Sequence, residues 1–241
     1  TTYEVAVLDL ERDIAFVMPV GDVHHTTRPR SDTDVSILGE THAMSWGPIE
    51  VRLGPVEVTT QVTGYDVLRL GSSEVIAEVP LDLPPQHLTT VAVWYVLTDD
   101  LLDDAGIPPA RVPGSLHAAE HGAIGLLPLI ALCDRWDIGG LSTALHRDTG
   151  RPTVFVYDGY PGGAGLAERS YLRLAEHLQA TRDAIADCRC ATGCPSCVQS
   201  PKCGNGNEPL DKEGAVAVLD LLLSHAPTPD TPPSGVDESH I

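Results

Sequence analysis

Five of the six cysteines fall between Cys188 and Cys203, in the run CRCATGCPSCVQSPKC. Thiols crowded this closely, with Gly and Pro between them, point to a bound soft metal ion that fixes the local fold. A CxC pair, Cys188 and Cys190, precedes a CPSC knuckle, Cys194 and Cys197, and Cys203 follows. A knuckle of this kind turns tightly enough for two sulfurs to face one ion while backbone amides stabilise the thiolate charge. Cys188, Cys190, Cys194 and Cys197 are the expected tetrahedral set, with Cys203 as an alternative fourth ligand in place of Cys188 or Cys190. Four thiolates leave no open position, so the expected site is structural and its ion is zinc. An iron–sulfur cluster and a disulfide or redox pair are the competing readings, and the redox one lacks the strand that should precede its CxxC. Cys133, in an apolar helical stretch, reads as a small buried hydrophobe.

The rest of the composition narrows the function classes. An apolar content of 42% over 241 residues is enough for a real core, while a formal charge of −19 argues against a broad phosphate-binding surface. Any nucleic-acid contact must be local. The only lysines, Lys202 and Lys212, lie in and just after the cysteine run, so Lys202, Asn205, Asn207 and Lys212 are the candidate contacts. There is no apolar leader and no run of about eighteen apolar residues, so a membrane partner is not expected and the cytoplasm is the expected location. The missing initiator Met suggests a cut fragment.

Patterning divides the chain into a β-rich unit over 1–82, a mixed α/β domain over 83–225, and a disordered acidic and Pro-rich tail over 226–241. In the first unit, short alternating runs predict antiparallel strands: Val5 to Val17 as a hairpin, then Val35–Leu38, Ile49–Leu53, Val56–Val62 and Val75–Val79. A small barrel or curled sheet fits them. The joint is LDLPPQHL, Leu81 to Leu88. Beyond it, TVAVWYVL (Thr90–Leu97) and TVFVY (Thr153–Tyr157) read as strands buried on both faces. Leu116 to Cys133 predicts a central apolar helix begun at Pro113-Gly114-Ser115. Gly162 to Gly165 opens another helix, with Leu166, Tyr171, Leu174, Leu178 and Ile185 on one face. Asp211 caps a last helix with Ala215, Val218, Leu219, Leu222 and Leu223 on one face. The fold class is therefore α+β.

Two other motifs carry chemistry on paper. His117-Ala-Ala-Glu120-His121 matches the HxxEH pattern of inverted zinc metalloproteases, which makes a metal-dependent hydrolase the alternative function; a hydrogen-bonded polar cluster is the plainer reading. The segment from Asp158 to Gly165 follows a strand and precedes a helix, a geometry that can present amides to an anion, or simply a tight turn of positive φ. No Walker motif and no DExH box occur, so no catalytic residue is assigned.

The runs HAAEHGAIGLLPLIALCDRWDIGG, Leu141 to His146, GRPTVFVYDGYPGGAG and CRCATGCPSCVQSPKCGNGNEPLDK together resemble the C-terminal zinc-binding domain of DEAD/DEAH-box DNA helicases of the Hrq and MrfA type. The likeness covers Leu81 to Leu223 and more weakly the β-rich first third. It implies a non-catalytic accessory module of an ATP-dependent DNA-repair helicase, which braces the motor and helps to guide or separate strands. The family's cysteine signature falls on Cys188, Cys190, Cys194 and Cys197. The implied partners are motor domains of the same chain and, weakly, DNA, with nucleoid association through the parent. ATP and Mg²⁺ would belong to the motor domains alone. Thirteen Arg against two Lys suggest a GC-rich bacterial source. An acidic protein-interaction module is a further alternative.

Overall fold

The computed structural model describes residues 2–21, 23–72 and 74–227. Most of the expected tail, from residue 228 on, lies outside the described residues. The chain divides into two compact units, one of Thr1–Asp32 with Gln61–Pro84, the other of Thr33–Thr60 with Pro85–Ile241.

In the first unit, β1 (Thr2–Asp9) and β2 (Ile14–Val20) pair as an antiparallel hairpin that is a two-stranded sheet of its own. β6 (Val75–Pro80) runs antiparallel to the last third of β5 (Ile49–Arg69). Arg28 and Arg30, on β3 (His25–Ile37), both reach the buried Asp66 carboxylate. The expected barrel is thus corrected: a hairpin that pairs only with itself cannot close one, and the described strands form open sheets.

The second unit is built on the order β3–β5–β7–β9–β8, with β4 (His42–Trp46) on β5. Here β7 is Gln86–Val96, β8 Ile138–Thr143 and β9 Thr153–Asp158, and the pairs are antiparallel. Residues 49–60, grouped by sequence patterning with the first third, pair with β7 from Glu50↔Val96 to Thr60↔Gln86. The two short runs expected on either side of Gly54-Pro55 are one strand, because the Pro55 carbonyl accepts the Leu38 amide and the ladder to β7 continues through both residues.

Alternation along these strands explains why they read as continuous apolar runs. Ile49, Val51, Leu53, Val93, Tyr95, Val154 and Val156 face one core. Val56, Val58, Ala92, Trp94, Val96 and Phe155 face another, where Trp94 and Phe155 stack at 5.7 Å. A strand with both faces covered has no polar side to alternate.

The first core is closed by helices. α1 (Asp99–Asp104) leads to α2 (Val112–Leu126), which is buried along most of its length and packs on β8, β9, α4 (Leu174–Asp187) and α5 (Lys212–Ser224). Gly122 permits the approach of α4, since a Cβ there would sit 2.7 Å from Ile185 Cδ1 and 3.0 Å from Thr181 Cγ2. The single helix expected after Gly165 is two, α3 (Leu166–Leu172) and α4, broken at Arg173, whose ψ of 29° leaves the helical region. His177 bridges the break: its Nδ1 accepts from the Ser170 hydroxyl at 2.9 Å and its Nε2 donates to the Ala123 carbonyl at 2.8 Å. Asp211 caps α5 through the Gly214 amide and also receives Arg111 at 2.6 and 2.9 Å, which joins the starts of α2 and α5. No helix among the described residues is long and apolar enough to cross a membrane.

Candidate metal centre

Helix α4 ends at Asp187 and Cys188 is already extended, at φ −69° and ψ 124°, so the cysteine loop starts where the helix stops. The loop folds back on itself at the knuckle. There the Cys194 carbonyl accepts the amides of Cys197, Val198 and Gln199 at 3.0 to 3.2 Å, and the Cys194 amide points at Cys197 Sγ at 3.3 Å. Val198 is fully buried and anchors the turn in the core.

The loop gathers four sulfurs. Cys188 Sγ lies 3.6 Å from those of Cys190 and Cys194, Cys190 Sγ 3.5 Å from that of Cys197, and Cys194 Sγ 3.8 Å from that of Cys197. All four lie within 4.8 Å of one another. A disulfide brings sulfurs to about 2.0 Å, so these separations exclude one among them. A tetrahedron with Zn–S bonds of about 2.3 Å has edges of about 3.8 Å, and the sulfur set is close to that size. The Ser196 amide, and after it the Cys188 thiol, pull the Cys194 thiol down to about 7, whereas burial raises that of Cys197. Four neighbouring thiolates need a cation to coexist.

Both lysines serve this region from within. The Lys212 ammonium donates to the carbonyls of Cys188, at 2.5 Å, and Cys190, at 2.7 Å, which ties α5 to the cysteine loop. Lys202 Nζ donates to the carbonyls of Ile138, Trp136 and Arg135 at 2.7, 3.2 and 3.3 Å and lies 5.4 Å from the Trp136 ring centre. An ammonium has three protons, so Lys202 has none left for a phosphate and Lys212 has one. Asn207, at φ 68°, exchanges two hydrogen bonds with the Ser200 backbone, and Asn205 Oδ1 accepts from the Cys203 thiol at 2.6 Å. The residues singled out for nucleic acid are engaged in holding the loop.

Cys203 is not with the other four. Its sulfur sits 3.5 Å from His117 Nε2, in a group with His121. The two imidazoles are 4.2 Å apart between ring centres, with His117 Nδ1 donating to the Pro209 carbonyl and His121 Nδ1 to that of Val198, each at 2.8 Å. Burial lowers both histidines, His121 to about 4 with His117 adding to the effect. Glu120 stands apart: a Cβ on Gly140 of β8 would meet its Oε1 at 2.6 Å, and it bonds to Ser142. Burial raises its carboxyl to about 7. The carboxylate that the HxxEH pattern needs as a base lies against the sheet and is not in the group formed by the imidazoles and Cys203. Sequence spacing could not reveal the grouping of Cys203 with His117 and His121, since 86 positions separate Cys203 from His117.

The glycine-rich turn is also accounted for. Gly162, Gly163 and Gly165 have φ of 78°, 86° and 83°, and the turn aims the amides of Ala164, Leu166 and Ala167 at the chain's own Asp158 carboxylate. The anion that the helix start attracts is internal.

Comparison with known proteins gives the same picture. Residues 119–198 match the family model described as MZB, the MrfA Zn-binding domain. The chain is 29% identical over 198 residues to YprA of Bacillus subtilis, described as an uncharacterised ATP-dependent helicase, with 81% of this chain and 26% of that protein covered. Over 114 residues it is 40% identical to the uncharacterised protein MJ1572.1 of Methanocaldococcus jannaschii, covering 45% of this chain and all of that protein. Among solved structures, the DUF1998 helicase MrfA bound to DNA superposes with a TM-score of 0.60 at 27% identity, covering 91% of this chain and 28% of that one. The chain therefore spans about a quarter of the length of the helicases it matches.

Proposed function

The chain belongs to the MrfA-type zinc-binding domain family, and on that footing we propose that it is the non-catalytic accessory domain of an ATP-dependent DEAD/DEAH-box DNA helicase, braced by one structural zinc on Cys188, Cys190, Cys194 and Cys197. The observation that carries this reading is the set of four sulfurs all within 4.8 Å of one another, with four of their contacts at 3.5 to 3.8 Å. When bound, the ion neutralises thiolate charge and cross-links the end of α4 to the knuckle. The chain's own residues do the rest. The Cys194 carbonyl and the buried Val198 set the turn, and Lys212 fixes the loop to α5.

A scaffold of this kind transmits position, not chemistry. α2 is held by α4 and α5, so a locked cysteine loop makes the helices one rigid body that a motor can lean on. The exposed apolar residues of the β1–β2 hairpin, Tyr3, Val5, Val7, Phe16 and Met18, are the kind of surface a neighbouring domain of a longer protein buries. Guidance of DNA would come through the assembled protein, since MrfA is seen bound to DNA while this chain carries a charge of −19. The hydrolase alternative is not favoured, because Glu120 faces β8.

Elemental analysis with an absorption spectrum tests the reading. Zinc without iron, no ATP hydrolysis, and loss of that zinc on joint Cys194→Ser and Cys197→Ser replacement are expected. Iron with a charge-transfer spectrum, or thiols oxidised in pairs, would overturn it.

A further inference from the structure

We propose that His117, His121 and Cys203 form a second metal site, which takes a zinc ion on two imidazole nitrogens and one thiolate. Their ligand atoms lie within 4.8 Å of one another. His117 Nε2 is 3.5 Å from Cys203 Sγ. In a tetrahedral zinc site with Zn–N of about 2.0 Å and Zn–S of about 2.3 Å, the N···S edge is about 3.5 Å.

Both imidazoles are set in the tautomer a metal requires. A carbonyl oxygen only accepts, so the Pro209 and Val198 carbonyls hold the protons on Nδ1 of His117 and His121. Each Nε2 then presents its lone pair. Carbonyl partners of this kind are what orient metal-ligating histidines. The sulfur has its own support: the Asn207 amide donates to Cys203 Sγ at 3.2 Å, in a turn closed by the Gly206 amide on the Cys203 carbonyl. That is the amide-to-sulfur arrangement of a zinc knuckle. The one thiol proton is given to Asn205 Oδ1 at 2.6 Å and supplies neither imidazole lone pair, whereas one cation satisfies both and the thiolate. On binding, the Cys203 proton leaves to solvent and the fourth position falls to a water.

Two imidazoles and a thiolate form a borderline-soft donor set suited to zinc. Glu120 lies against Gly140 of β8 and is not in the ligand group, so the role assigned to the ion is to pin the turn over residues 200–207 onto α2. The site is also separate from the family's shared centre. The four cysteines and His121 fall within the matched residues 119–198, but His117 and Cys203 do not.

The test is a zinc count on the full chain, supported by cadmium NMR after metal exchange. Two zinc ions per chain are expected, falling to one in His117→Gln and in Cys203→Ser. The cadmium form should give one resonance in the all-sulfur region and one displaced toward mixed nitrogen and sulfur ligation, the latter alone lost in Cys203→Ser. One zinc per chain, unchanged by either substitution, would overturn the proposal, and the unsubstituted count decides even if a variant misfolds. Joint replacement of Cys194 and Cys197 removes the other ion, so failure of either centre is read separately.

Discussion

Lys212 shows most plainly how a single side chain can mean something other than its charge suggests. A lysine beside a cysteine cluster reads as a basic spot, yet its ammonium serves two carbonyls of the loop. Hydrogen bonds from a charged donor contribute about 1.5–3 kcal/mol. Lys212→Met should therefore lower thermal stability by about 2 kcal/mol and speed zinc release to a chelator, which a stopped-flow dye assay measures. A variant that releases zinc at the unsubstituted rate would refute the tie. His177 makes a pH prediction. It is 1% exposed, and burial lowers its pKa below the usual value near 6.5. The folded protein binds fewer protons there than the unfolded chain, so this contribution is full above about pH 6.5 and is lost as pH falls toward the depressed folded value. Urea unfolding of His177→Gln between pH 7.5 and 5.5 should show a shallower acid loss than the parent. At this scale the sequence showed which residues have chemistry but not what each one faces. Local spacing marks the five clustered cysteines without choosing four of them, whereas the carbonyls that Lys202 and Lys212 hold and the histidine beside Cys203 lie 22 to 86 positions away.

The helices are legible by periodicity, and their contacts are decided by small residues. Gly122 lies where α4 crosses α2. Gly122→Val should cost about 1–3 kcal/mol through overpacking against Thr181 and Ile185, measured as a drop in the denaturation midpoint. An unchanged midpoint would mean that the helices are not in close contact there. Asp211→Ala removes the cap of α5 and the partner of the half-exposed Arg111. Cap loss costs about 1 kcal/mol and an exposed ion pair adds little, so a total of about 1–2 kcal/mol is expected. Asp211→Asn, which keeps the cap oxygen, should recover most of it. Strands β7 and β9 and helix α5 were readable from the sequence because both-face burial and helical spacing leave strong patterns, whereas the helix expected over Leu116 to Cys133 stops at Leu126 and gives way to a tighter turn over Leu127–Leu129. The break between α3 and α4 was not, because it follows from His177 reaching both Ser170 and Ala123, a tertiary bond with no local signature. The barrel failed for a similar reason: alternation marks strands without saying which of them pair.

For the whole molecule, charge bears most directly on the proposed role. A net charge of −19, with both lysines engaged, leaves little for phosphates. A gel-shift assay at low salt should show weak binding of this chain to DNA, abolished by moderate salt; tight binding would contradict the passive role. The matched helicases are about four times longer, and the proposed role accordingly places activity in an assembled protein to which this chain would contribute a rigid attachment. That rigidity rests on one claim, that four sulfurs hold a single zinc. X-ray absorption at the zinc edge, on Cys203→Ser protein so that only this centre contributes, tests it most directly. The account predicts a first shell of sulfur alone at about 2.3 Å. A shell of nitrogen or oxygen neighbours, or no zinc at all in folded protein, would contradict it.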